Sequence, residues 1–472
     1  MKAPLAPRQH LLSLAVCLLV SVAVWLVFYP TVFSLDSYLV LLDAASGRFS
    51  DVHPLLIPVA LWLVLKAGGD ISFVTLGQIV LGFLGIRRLV LVLVRYFGME
   101  LAHAGDWVVV AILVLLATPL SPLSIYLATL WPDTWLLIFL LWIVALLFEL
   151  DEHSEDARAS AVRIAAIVLL AALIILVRYN AIVMYPLLAL SFFGVLRRRS
   201  FSVLHSASLV SLPLFLATGF LAAQYYTPEI GRLHPERAVY ALDLASMIKY
   251  EPSVCQNLSL ESCDLVVSEF VPEFRVGDGA IDLSFNQGKA VQYDPFVRLF
   301  HYPRLEKELW MAAVDHPVLY LTVKLLNYLD YVGPDPNQFF FHRGAVLLDQ
   351  ARLPYQTFAS PDNRWFSAPM SVIVDPVLSW YSYVHAVWLV INLLGVIALS
   401  ALTHGRRHHR LLFLRQMLLI PAAYYGGYLI ALTTREFRFM YPSMLITQVI
   451  TLTLLLGVAA RRLIAGGASW AQ

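Results

Sequence analysis

Long apolar runs separated by short polar stretches dominate this chain, and the pattern is typical of a polytopic helical membrane protein. The hydrocarbon core of a bilayer needs about 20 apolar residues in a spanning helix. Ten runs reach or approach that length. They are 11–29, 71–94, 107–126, 133–150, 161–178, 181–196, 204–223, 378–402, 411–431 and 439–460. We therefore predict an all-α fold of about ten transmembrane helices.

The apolar stretch 54–66 falls short of the roughly 17 residues that a span needs, so we expect an interfacial or re-entrant helix there. With this choice the basic clusters share one side with Lys2 and Arg8, as the positive-inside rule requires. These clusters are Arg87/Arg88/Arg95, Arg158/Arg163, Arg197/Arg198/Arg199, Arg406/Arg407/Arg410 and Arg461/Arg462. The sequence thus predicts an uncleaved first span and two cytoplasmic termini.

This orientation divides the chain into three parts. Residues 1–223 are predicted to form a transmembrane core whose first outer loop is 30–70. Residues 224–377 form an extracytoplasmic loop or small domain with an amphipathic surface helix near 304–330, and 378–472 hold the last spans. Cys255 and Cys263 both lie in the middle part, so we expect a short-range disulfide in an oxidising compartment.

Composition supports the membrane class and excludes one kind of partner. Of the 472 residues, 60% are hydrophobic and only 14% are charged, whereas soluble domains carry about 25% charged residues. The formal net charge is +1, which gives no reason to expect nucleic acid as a partner. The 11 Trp and 22 Tyr suit aromatic belts at two membrane interfaces.

Acidic residues and a histidine gather in the first outer loop, next to almost purely apolar segments. Asp36 follows the first span and can accept a proton from a hydroxyl group, or it caps a helix predicted over 37–46. Asp43 and Asp51 are further candidates, although Asp43 also fits a solvated surface acid. His53, directly before Pro54, either contacts substrate or orients Asp36, or it simply begins the interfacial helix.

A second group of polar residues is predicted at the same outer face, far along the chain. Asp133 begins a span, where the helix dipole favours an acid, and it can also contribute to a site. Arg178, followed by Tyr179 and Asn180, runs against the positive-inside rule, so we expect it to have an anionic partner. Arg435 and Arg438 repeat this anomaly; they suit phosphate binding, or a salt bridge with Glu436.

The order of these motifs resembles the GT-C superfamily of integral-membrane glycosyltransferases, which includes protein O-mannosyltransferases and lipid A aminoarabinose transferases. The family's first-loop acid falls on Asp36, and its His-Pro motif falls on His53-Pro54. The resemblance is best over residues 1 to about 223. This chain departs from many relatives at Leu55, where they carry a second Pro. Many relatives also carry two acids in this loop, and the resemblance does not decide which residue here corresponds to the second acid.

The resemblance implies a reaction at the outer membrane face of a plasma or inner membrane. The donor would be a sugar on polyprenyl monophosphate, and the acceptor a hydroxyl group of a glycan, lipid or protein. Asp36 would be the general base, His53 and Asp133 would assist, and Arg178, Arg435 and Arg438 would bind the donor phosphate. No metal is required for such a leaving group, although a divalent cation between Asp36 and Asp133 stays as an alternative.

Two other classes of function compete with this interpretation. A lipid or glycan flippase, or another transporter, would carry polar residues deep in its spans, and these are scarce here. The other class is a non-catalytic membrane scaffold, or a polymerase or ligase of the O-antigen type. A ligase would use Arg and His from one large outer loop, where His301 and His342 lie.

Overall fold

Every described element of this chain is a helix. A computed structural model describes residues 10–29, 31–32, 35–50, 54–99, 104–118, 121–152, 157–198, 237–259, 302–333, 384–404, 408–431 and 439–469, together with Phe215, Thr218, Gly219 and Cys263. The α-helices are α1 (Leu11–Val27), α2 (Leu35–Ser46), α3 (Leu56–Lys66), α4 (Ile71–Tyr96), α5 (Ala104–Ala117), α6 (Leu123–Leu127), α7 (Pro132–Glu152), α8 (Ala157–Val177), α9 (Tyr185–Arg198), α10 (Arg237–Tyr250), α11 (Leu305–Asp315), α12 (Pro317–Val332), α13 (His385–Thr403), α14 (His409–Ala431) and α15 (Tyr441–Ser469). Two 3-10 helices, Tyr179–Met184 and Pro252–Asn257, join them.

The chain forms two compact units. The first contains Met1–Gly231, Phe340–Tyr424 and Arg438–Gln472, and the second contains Arg232–Phe339 and Tyr425–Phe437. Helices α10, α11 and α12 belong to the second unit, and α14 contributes its last residues to it.

Within the described residues, six helices are long and apolar enough to cross a membrane. They are α4, α7, α8, α13, α15 and the helix Tyr179–Arg198, which includes α9. A bent pair, α11 with α12, makes a seventh if it counts as one span. These helices fit a multi-pass membrane protein, while the count of ten stays a prediction. Most of 204–223 lies outside the described residues.

Three predicted boundaries can be compared with the structure. The helix expected over 37–46 is α2, which begins two residues earlier, and the short stretch 54–66 is α3, with 11 residues. At a rise of about 1.5 Å per residue, α3 is about 17 Å long and too short to span. The run 107–126 is not one helix, which corrects the prediction. Its first part, α5, ends at Ala117, because Pro119 and Pro122 follow and proline cannot donate the helical hydrogen bond.

The prediction of one surface helix near 304–330 is also corrected. It is two helices, α11 and α12, which meet at a bend of 109°. His316 lies at the bend, and Pro317 begins α12. Proline is favoured in the first turn of a helix and disfavours a helical residue before it, so the sequence places the break here.

Helices α4 and α7 form the centre of the first unit. In its most apolar window α7 is 83% buried, whereas α13 is only 17% buried. Gly82 and Gly85 let α4 approach its neighbours closely. A Cβ atom at Gly82 would lie 2.5 Å from Leu127 Cδ2 in α6, and one at Gly85 would lie 3.1 Å from Trp142 Nε1 in α7. Small residues allow such close packing in membrane proteins.

Ion pairs join helix ends at one end of the first unit, which we call the ionic end. They are Arg88–Glu149 at 2.7 Å, Arg163–Glu149 at 3.1 Å, Arg95–Glu152 at 2.6 Å and Arg198–Asp151 at 2.6 Å. His409 Nε2 also lies 2.7 Å from Asp151 Oδ2. Basic residues from α4, α8 and α9 therefore meet at one end, while the side of the membrane that this end faces stays a prediction. The first turns of α4, α7 and α15 lie at the opposite end.

The second unit is built around α10. Its buried face packs against α11 and α12 through an apolar cluster that includes Leu244, Ile248, Leu309 and Val323. The predicted disulfide between Cys255 and Cys263 is present, with Cα atoms 5.6 Å apart.

Candidate functional site

A buried carboxylate and a guanidinium form an ion pair at the end of the first unit opposite the ionic end. Asp133 lies in the first turn of α7 and has no exposed surface. Arg178 follows the last residue of α8, and its Nε lies 3.1 Å from Asp133 Oδ1. The Arg178 side chain keeps 15% of its surface exposed. Asp133 is thus the anionic partner that the sequence leads us to expect for Arg178.

One aromatic ring contacts Arg178, and three more pack together where α6, α15 and the residues before α7 meet. The Arg178 guanidinium lies 4.7 Å from the centre of the Phe439 ring. Tyr441, at the start of α15, stacks on Tyr126 with ring centres 4.1 Å apart, and Trp131 lies 4.9 Å from Tyr126. A cation over an aromatic face is stabilised, more so where water is excluded. The surroundings therefore favour a charged guanidinium at a largely desolvated position.

The segment before Asp133 is irregular and buried, and its backbone is satisfied by side chains from elsewhere. Gln78 Nε2 in α4 donates to the carbonyl oxygens of Leu127 and Thr129, both at 2.7 Å. Thr31 Oγ1 donates to Ala128 O at 2.7 Å. Non-helical backbone at membrane depth is tolerated only where protein groups satisfy it. These bonds fix the chain that leads into α7, and with it the position of Asp133.

The first outer loop is anchored near this pair at two points. Near its start, Val32 forms an isolated bridge with Thr129, four residues before Asp133. Further along, Leu56 at the start of α3 packs against a buried cluster of Ala172 and Leu176, within two turns of Arg178. Helix α2 lies between these anchors and packs against α3, which begins at the second anchor. The fold therefore brings the loop to the same end of the unit as Asp133 and Arg178.

The structure treats the acids of the loop differently. Asp36 is the second residue of α2, within the helix and not at the capping position, and its side chain lies outside what the structure describes. Asp43, in the last part of α2, accepts hydrogen bonds from Ser50 N at 3.1 Å and Ser50 Oγ at 2.9 Å. Asp43 therefore closes the turn after α2, which is a structural role.

The remaining candidates fall into two groups. Tyr179 and Asn180 begin the 3-10 helix directly after Arg178, and both are half-buried. Four candidates lie outside the described residues: Asp51, His53, Arg435 and Arg438. In the described part of the chain, no group of three or more His, Cys, Asp or Glu residues is arranged to hold a metal ion.

Sequence reasoning missed the residues that support the pair. Gln78 is a strongly polar residue inside the long apolar helix α4, and such a residue in a span is a signal of function or of a buried partner. Tyr126, Phe439 and Tyr441 carried no such signal, because aromatic residues are common in apolar runs. Only the fold brings α6 and the start of α15 together.

Comparison with protein-family models found no match for this chain. Comparisons with curated proteins and with solved structures also found no significant match.

Proposed function

We propose that this protein transfers a sugar from a polyprenyl-monophosphate donor to an acceptor hydroxyl group at the outer membrane face. One observation carries the proposal. The first outer loop, which bears the candidate base Asp36, is anchored at Val32 and at Leu56 near the buried Asp133–Arg178 pair. An acid–base group and a charge-stabilising group from distant parts of the chain would then share one site.

The reaction needs a base, a leaving group and a stabilised negative charge. The acceptor oxygen forms a bond to the anomeric carbon while the bond from that carbon to the phosphate oxygen breaks, with inversion. Asp36 takes the hydroxyl proton, and the polyprenyl phosphate leaves with its charge stabilised by arginine. Arg438 directly precedes Phe439, whose ring contacts Arg178, so Arg438 and Arg178 are proposed to act together.

Arg178 has two roles to reconcile, because a carboxylate already contacts its Nε atom. We propose that Asp133 holds the guanidinium in place and that the exposed part of Arg178 meets the phosphate. Asp133 is then a positioning residue, and Asp36 alone is the base.

An apolar cavity of about 110 Å³ supports a lipid-linked donor. It is lined by α7, α8 and α9, with Ala171, Tyr185, Leu188 and Phe192 among its residues. Tyr185 begins α9 seven residues after Arg178. An isoprenoid chain could follow α8 and α9 from a phosphate at Arg178 into this cavity, because an apolar lining suits hydrocarbon.

We further propose that the ionic end faces the cytoplasm together with both termini, and that the protein resides in the plasma or inner membrane. The disulfide between Cys255 and Cys263 supports an oxidising compartment for the second unit.

The test of the proposal compares cells with and without the gene by mass spectrometry of their lipids and glycans. We expect one glycan, lipid or protein to lose a sugar and the matching lipid-linked donor to accumulate on the outer face. Accumulation on the cytoplasmic face alone would favour a flippase. Loss of a whole glycan chain would favour a polymerase or ligase.

Variants then test the site itself. Asp36→Asn should lower transfer by about 10²- to 10⁴-fold, the usual contribution of a general base, with normal protein levels. The matched control is Asp70→Asn. Asp70 caps α4 by accepting a hydrogen bond from Ser72 N at 2.7 Å, and asparagine caps equally well, so activity should persist. Full activity of Asp36→Asn would remove the base assignment, and loss in His301→Ala instead would favour a ligase.

A further inference from the structure

Helix α12 in the second unit exposes apolar side chains and buries its lysine, which is the reverse of a helix at a water-facing surface. Its exposed side chains are Val318 at 77%, Leu321 at 67%, Leu325 at 48%, Leu326 at 37% and Leu329 at 51%, together with Pro317 and Thr322. These positions recur every three to four residues, so they form one stripe along the helix. Thr322 is the one polar member, and its hydroxyl donates to Val318 O at 2.8 Å. The stripe therefore presents no polar side-chain group in need of water.

Helix α12 has two charged residues, and neither is exposed: Asp330 in its last turn is half-buried, and Lys324 lies on the buried face opposite the stripe. Lys324 Nζ lies 2.6 Å from Asp243 Oδ2 and donates to Ile430 O at 2.7 Å. Both side chains of this ion pair are nearly enclosed, with exposed fractions of 7% and 3%. A surface helix in water would expose its lysine and bury its leucines. Helix α12 does the reverse, which is the arrangement of a helix whose solvent is hydrocarbon.

The dimensions and the neighbouring helix agree with such a solvent. The 16 residues of α12 make a helix about 24 Å long, most of the thickness of a hydrocarbon core of about 30 Å. Helix α11 meets it at 109° and exposes a mixed set: Trp310 and Val314 beside Glu306 and Lys307. Tryptophan with charged residues on one short helix is typical of the headgroup level.

We propose that the apolar stripe of α12, from Val318 to Leu329, faces the acyl chains of the bilayer, with α11 lying at the headgroup level. Lipid is the occupant that fits, because six other described helices of this chain are long and apolar enough to cross a membrane. The second unit is then inserted in the membrane through a bent helix pair, and the Asp243–Lys324 pair stays enclosed behind the stripe.

Spin labels on the full-length protein test this placement. Leu321→Cys and Leu325→Cys report on the stripe, and Lys307→Cys on α11 is the control, each in a Cys17→Ser background. The labelled proteins are reconstituted in phosphatidylcholine vesicles, and power saturation compares collisions with oxygen and with a nickel chelate. We expect oxygen to exceed nickel at both stripe positions and nickel to exceed oxygen at Lys307.

Two outcomes would overturn the placement. Nickel exceeding oxygen at Leu321 and Leu325 would show water, and low values for both reagents would show a covering protein surface. A second measurement needs no variant: a carbene-generating reagent dissolved in the bilayer should label the wild-type peptide 317–332. If this peptide stayed unlabelled while α13 was labelled in the same experiment, the proposal would also be contradicted.

Discussion

Two buried ion pairs serve different needs at the level of single residues. Asp133 and Arg178 lie at helix ends, where the α7 dipole favours the acid and part of the arginine remains exposed. Asp243 and Lys324 are enclosed on all sides. Burial raises the pKa of Asp243 to about 6, and the Lys324 ammonium acts against this rise. The first pair can meet a ligand, whereas the second serves the fold.

The Asp243–Lys324 pair gives a prediction about stability. Asp243→Asn and Lys324→Met should each lower the free energy of unfolding by about 3–5 kcal/mol, because each leaves one buried charge without its partner. The double variant should lose less than the sum of the two. Thermal unfolding in detergent compares the stability of four purified proteins: the wild type, the two single variants and the double variant. Additive losses would show that the two side chains are not coupled.

At the level of elements, α4 positions the site without belonging to it. Gln78 holds the backbone before α7, and four residues later Gly82 lets α6 approach. A helix that satisfies an irregular segment and packs closely on it determines where Asp133 lies.

Glycine substitutions in α4 test this role. Gly82→Ala places a methyl group 2.5 Å from Leu127 Cδ2, and overpacking of this kind costs about 1–3 kcal/mol. Gly77 has no atom within 4 Å of its Cβ position, so Gly77→Ala should be neutral or gain up to about 1 kcal/mol from helix propensity. Melting temperatures compare the two variants. Equal melting temperatures would show that α6 can move away at no cost.

At the level of the whole molecule, the first unit has two chemically different ends. One end holds Arg88, Arg95, Arg163 and Arg198 in ion pairs. The other has the Asp133–Arg178 pair, with Phe439 against the guanidinium, and the two anchors of the first loop. Arginine-rich ends favour the cytoplasm, so we propose that the other end faces outward.

Cysteine labelling tests this sidedness. Lys66 ends α3, and Arg461 lies near the other end of α15; both are exposed. A membrane-impermeant maleimide added to intact cells should label Lys66→Cys and leave Arg461→Cys unlabelled until the membrane is opened. Background should be low because Cys17 is buried and the other two cysteines are paired. Labelling of both positions from outside would contradict the two-ended topology.

The sequence predicts much of the local structure for simple reasons. Run length identifies long helices such as α4, α7 and α8, and shows that α3 is too short to cross. Charge distribution predicts which helix ends meet. The prediction of a single helix was wrong where it depended only on the length of a run. Two prolines end the helix in 107–126 early, and Pro317 divides the helix near 304–330.

The sequence by itself determined the helical class, the disulfide and the positions of the unusual charges, since hydrophobic length and charge placement act locally. Tertiary structure decided which of those charges meet. Asp133 and Arg178 are 45 positions apart in sequence, and they pair only because α7 and α8 pack side by side. The reversal of α12 also needed the fold, since leucines and a lysine on one helix do not say which face is buried until a partner such as Asp243 is in place.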